Sequence, residues 1–159
     1  MIDGEILHGL VHPEMGHLPV PRHSRDIYRG CCAFHGDCLE GMASGPSMEA
    51  RWRMPPGSLP RDHQAWELEA YYLAMAVCSV IYTISPQRII CGGGVMNQKQ
   101  LFPLIRQKVT ETLHGYIQSE SIVSEIDNFI VEPGLGERSG AVGSLELARL
   151  AESDSLHRF

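Results

Sequence analysis

The run Cys32-Ala33-Phe34-His35-Gly36-Asp37-Cys38-Leu39-Glu40, with Glu14-Met15-Gly16-His17 ahead of it, decides how this chain is read. His17, Cys32, His35 and Cys38 are soft or borderline ligands, and four of them is the complement of a closed tetrahedral zinc site. Two residues separate Cys32 from His35 and two separate His35 from Cys38, so one tight turn presents three ligands to one ion. Gly36 relaxes that turn, because it adopts positive φ without steric cost. Zinc is favoured over the plainer reading of buried thiols beside surface histidines. His12 competes with His17 for the metal, and Cys31 competes with Cys32, although only Cys32 gives the Cys-x-x-His spacing.

Outward from this knot, the totals narrow the class. A chain of 159 residues is long enough for one domain with a real core. A hydrophobic share of 43% is ordinary for a folded protein. The formal charge of −6 argues against a nucleic-acid partner, whose phosphates demand a basic face. No apolar run approaches about 20 residues, so no membrane span is expected. The start, Met-Ile-Asp-Gly-Glu-Ile-Leu-His, has no basic region ahead of an apolar stretch, so no secretory signal is read there. Without an export signal, five cysteines fit reduced thiols and metal ligation better than disulfides, and a cytoplasmic location is expected.

Residues 1–10 read as a short hairpin or strand turned at Asp3-Gly4. Residues 11–65 are rich in Gly, Pro, His and Arg and lack the periodicity to bury themselves, so a metal substitutes for a core there. Within that stretch Leu39, Met42 and Ala43 recur at helical spacing. Met48 and Trp52 do so after Gly45-Pro46, with Pro46 suited to a first helical turn. Gln64 to Thr83 is the strongest helix, apolar around most of its circumference and therefore mainly buried; Ser85-Pro86 ends it. Trp66, Tyr71, Tyr72 and Met75 serve helix packing or a dimer surface, and Cys78 and Cys91 are small core residues. Arg88 to Cys91 is a short strand broken by Gly92-Gly93-Gly94, a helix follows at about 98–118, and Phe129 to Val131 is a second strand. A last helix at about 139–151 precedes a polar tail. This order predicts an α/β fold with a small sheet.

Three glycines directly after a buried strand permit a ligand to approach the backbone closely, and the helix that follows favours anions. Their spacing matches neither the Walker loop nor the Rossmann fingerprint, and a plain strand-to-helix turn explains them about equally well. Gly134 to Gly143 is a weaker signal of the same kind. Its plainer reading is helix packing through small residues.

Taken together, Glu14-x-Gly-His17, the Cys-x-x-His-x-x-Cys-Leu-Glu run, Ala43-Ser44-Gly45-Pro46 and Ile89 to Met96 resemble the ROK family of sugar kinases and repressors, specifically its bacterial fructokinase branch. The likeness covers residue 1 to about 150. It implies an actin-like, ribonuclease H-like sugar kinase fold, whose two α/β lobes close around Mg·ATP and a hexose. Phosphate would pass to the 6-hydroxyl of D-fructose. The resemblance implies that Glu14, His17 and Glu40 contact the sugar, with His17 preferred to His12 because the ligand follows Gly16. It further implies that Pro46, Gly92, Gly93 and Gly94 lie near the nucleotide, that His17, Cys32, His35 and Cys38 hold structural Zn2+, and that the intact enzyme is a homodimer.

The resemblance also implies incompleteness. Residues 1–150 correspond to the C-terminal lobe alone: a zinc and sugar loop at about 11–65, a nucleotide-side portion at about 66–150, and a tail at 151–159. The N-terminal phosphate segments and the catalytic Asp of the family have no counterpart here. Asp26, Asp37 and Asp62 read as loop or turn residues, so no catalytic residue is assigned and the chain alone is expected not to turn over. The alternatives are a non-catalytic zinc module that binds sugar or dimerises, and, less favoured, a repressor fragment.

Overall fold

The computed structural model describes residues 1–156, with side chains through residue 151. Helices α1 (Leu39–Ala43), α2 (Gly45–Trp52) and α3 (Ala65–Ile84) lead to strand β1 (Ile89–Ile90) and helix α4 (Leu101–Leu113). The short helices α5 (Glu120–Val123) and α6 (Ile126–Phe129) then run into strand β2 (Ile130–Val131), and α7 (Ser139–Leu156) closes the order. The strands pair in parallel, Ile89 with Ile130 and Ile90 with Val131; both apolar runs thus hold a strand, each shorter than expected, and Phe129 ends α6 instead of opening β2.

The core is the seam between α3 and α4. Leu101, Ile105, Val109 and Leu113 recur every fourth residue along one face of α4 and are all buried. They meet Trp66, Ala70, Ala74, Val77, Cys78 and Ile81 of α3, and burying each large side chain contributes about 1.5–3 kcal/mol. Trp66 and Tyr72 are fully buried, which settles them as helix packing. At the N-terminus, Ile2 and Glu5 exchange backbone hydrogen bonds around Asp3-Gly4, the hairpin turn expected there.

Three expectations need correction. α3 is 20 residues long with a mean hydropathy of 1.2, so by length and composition it is long and apolar enough to cross a membrane. Here it is a core helix against α4. α4 is shorter at both ends than the sequence suggested. Pro103 has no amide proton and is tolerated only in a first turn, which fixes the start, and His114 ends the helix in the left-handed conformation. The final helix continues to Leu156 instead of yielding to a tail at 151, and residues 157–159 lie outside those described. The helical turns of α5 and α6 were not anticipated.

Glu69 breaks the apolar pattern of α3. It is fully buried, and neither carboxyl oxygen has a hydrogen-bond partner among the described residues. Desolvation outweighs the pull of the Arg51 charge and pushes the carboxyl up to about 8 from its ordinary 4.5. Between these values the folded chain keeps a proton that the unfolded chain has released. Folding stability therefore falls as pH rises through that window, by on the order of 1 kcal/mol per pH unit. Replacing Glu69→Gln should remove the slope, so the variant gains on the parent between pH 4.5 and 8. Urea melts across that range check this; parallel curves would contradict it.

Candidate metal centre and ligand cleft

The loop before α1 crosses itself to bring distant ligands together. A short 3-10 turn, Met15–His17, delivers His17. The chain then runs antiparallel to the start of α1: Pro19 bridges Cys38, and the Leu39 amide donates to the Leu18 carbonyl at 2.9 Å. Cys32 and Gly36 exchange backbone hydrogen bonds of 3.2 and 3.0 Å, closing a knuckle with His35 in it. Gly36 has φ +70°, the left-handed conformation that the spacing called for.

The result gathers the four sequence-predicted ligands. The ligand atoms of His17, Cys32, His35 and Cys38 all lie within 4.8 Å of one another. His17 Nδ1 is 3.7 Å from Cys32 Sγ and 3.6 Å from Cys38 Sγ, and His35 Nδ1 is 3.8 Å from Cys32 Sγ. Ordinary Zn–S and Zn–N bond lengths at tetrahedral angles require S···N edges of about 3.6 Å, so the group fits a zinc ion. The competitors lie elsewhere: His12 packs toward the His8 ring, and Cys31 is exposed outside the group.

Electrostatics treat the two thiols differently. Backbone amides of His35 and Phe34 draw Cys32 down to about 7, so it is substantially thiolate at neutral pH. Burial pushes Cys38 up. A bound dication favours the ionised form of both. Glu40 sits at the rim, its Oε2 3.3 Å from His17 Nδ1, while Glu14 is exposed and its carbonyl accepts the His17 amide at 3.0 Å.

A second feature lies on the sheet side. Gly92, Gly93 and Gly94 share a cavity of about 620 Å³ with Lys99, Gly136 and Ser139, so the two glycine clusters of the sequence meet. Gly92 lies against Pro133, where a Cβ would come within 2.8 Å of the proline ring. Pro46 opens α2, is exposed, and does not line this cavity.

A ROK family profile matches residues 1–151. The chain belongs to the ROK family. It is 46% identical over 151 residues to a Bacillus subtilis relative provisionally named a fructokinase, covering 95% of this chain and 50% of that protein. It is 39% identical over 146 residues to the fructokinase of Pediococcus pentosaceus, covering 92% of this chain and 49% of that one. The chain thus spans about half the length of the curated relatives it matches. The crystal structure of the ROK hexokinase from Thermus thermophilus superposes with a TM-score of 0.66 at 19% identity, over 95% of this chain and 52% of that one. The fold is accordingly the actin-like fold of ROK sugar kinases, carrying a Cys/His cluster on its loop.

Two residues that position this ROK loop escaped the sequence reading. A Cβ on Gly30 would lie 2.0 Å from the Gly36 carbonyl oxygen, and one on Gly41 would lie 1.9 Å from it. The knuckle is seated on two glycine backbones, and the only signal was a glycine on each flank of the cysteine run. Gly41 is in α1, where alanine would ordinarily help by about 1 kcal/mol. Gly41→Ala should instead cost about 1–3 kcal/mol through the clash and weaken metal retention. A thermal melt with a zinc count per chain checks this; unchanged values would contradict the close approach.

Proposed function

We propose that this chain is the C-terminal half of an ATP-dependent fructokinase, which converts D-fructose and ATP to D-fructose 6-phosphate and ADP. The observation that carries the reading is the gathered ligand group with Glu40 at its rim, on a chain that is 36–46% identical to fructokinases of the family. In this reading the enzyme is a cytoplasmic homodimer.

His17, Cys32, His35 and Cys38 would hold Zn2+, which supplies a fixed geometry for a loop that has no core of its own. With His17 engaged in holding the metal, Glu40 beside it would be left to accept a hydrogen bond from a sugar hydroxyl. Glu14 and the His17 ring complete the same wall. Gly92, Gly93 and Gly94 let the adenosine side of Mg·ATP approach the backbone closely. A hexose hydroxyl has a high pKa, so transfer needs a positioned carboxylate and clamps on the phosphates. We assign both to the half of the kinase that precedes this one, which makes the chain inactive alone.

ADP release with Mg·ATP, fructose and zinc tests the assignment. The expected result is no turnover by this chain and activity once the preceding half is supplied. Turnover by the chain alone would overturn the half-enzyme reading. Fructose binding without ADP formation, even with that half present, would favour a sugar-binding zinc module. The metal assignment has its own test: Cys38→Ser should abolish binding of one zinc per chain and cost several kcal/mol of stability, read by metal analysis and calorimetric melting.

A further inference from the structure

Arg51 of α2 is nearly buried, its side chain 6% exposed, and it holds more of the molecule together than any sequence motif announced. Its Nη2 lies 3.2 Å from Asp26 Oδ2 and donates to the Met42 carbonyl at 2.9 Å. Its guanidinium stacks over the rings of Tyr28 and Tyr72, 4.7 and 5.6 Å from their centroids. Asp26 is equally buried and fully engaged: Tyr72 Oη donates to Oδ2 at 2.6 Å, and the Tyr28 amide donates to Oδ1 at 3.0 Å.

The positions of these partners along the chain give the contact its meaning. Asp26 and Tyr28 lie between the ligands His17 and Cys32, whereas Met42 lies in α1, just after the ligand Cys38 and beside Glu40. One guanidinium therefore grips both arms that carry the ligands and ties them to α2 and α3. We propose that Arg51 is a positioning residue for the metal centre and for Glu40, and that Asp26 is its counterpart on the loop. This rests on the metal reading given above. Planarity is essential to the role, because the fork reaches an acid and a carbonyl while its face stacks on two rings; the point charge of a lysine cannot do both.

The experiment compares the parent chain with Arg51→Lys, Asp26→Asn and the double variant. Arg51→Lys keeps a cation beside the buried Asp26, and Asp26→Asn is the milder change if the first folds poorly. Each single change should lower zinc affinity about 10–100-fold, as removal of a ligand-orienting partner does. Each should also alter the visible band intensities of the cobalt(II)-substituted chain, which report tetrahedral geometry. The double variant should lose clearly less than the sum of the two single losses, since both break the shared Arg51–Asp26 contact. A folded Arg51→Lys with the parent's zinc affinity and cobalt spectrum would overturn the proposal, as would additive losses in the double variant. If the parent itself takes up neither metal, the metal reading fails, and amide exchange decides the clamp separately. Faster exchange over residues 23–42 with the α3–α4 core unchanged upholds it; unchanged exchange overturns it.

Discussion

The apolar seam between α3 and α4 is what the rest of the molecule leans on. Among the described residues it is the place where two long helical faces of matched periodicity bury each other. β1 leaves from the end of α3, and β2 returns along it with its Ile130 carbonyl held by Arg106 of α4. The glycine-lined cavity opens just beyond the paired strands, so its shape follows from how firmly the seam is packed. A two-stranded sheet has little stability of its own, and here its register is set by the helices around it.

The loop before α1 is organised on a different principle. Between residues 11 and 37 only Asp26 is buried, and it is a charged group. Hydrophobic burial is thin here, limited to Val20 and Tyr28 packing partly against Met42, Ala43 and Tyr72. Its order comes from specific contacts: backbone exchange within the knuckle, glycine backbones at van der Waals limits, and the buried Asp26–Arg51–Tyr72 network. Such contacts are individually modest and costly when half-made, because a buried charge without its partner is expensive. A metal ion adds a strong interaction where the chain has few others. The four ligands and the Arg51 contact thus act on the same loop from opposite ends.

Much of this was legible in the residues because it depends on local rules. Helical periodicity announced α3, Pro46 with the Met48–Trp52 spacing announced α2, and the Cys-x-x-His-x-x-Cys spacing announced the ligand group. The failures share a cause. The ends of α4, the helical turns of α5 and α6, and the burial of Asp26 all depend on what packs nearby, which a linear pattern does not contain. Asp26 does form the turn expected of a loop acid, through the Tyr28 amide. What no turn rule reveals is that its other oxygen faces Arg51.

The sequence by itself determined the types of the longer elements, the chemical identity of the ligand group and membership of the α/β class. These follow from side-chain chemistry and from spacings short enough to be set by a single turn or helix. Tertiary structure alone decided that His17 reaches Cys38 and that the two glycine clusters share one cavity. It also decided that Gly30 and Gly41 seat the knuckle, and that Arg51 spans both arms of the loop. Each of these depends on how separate segments pack together, not on any local backbone preference.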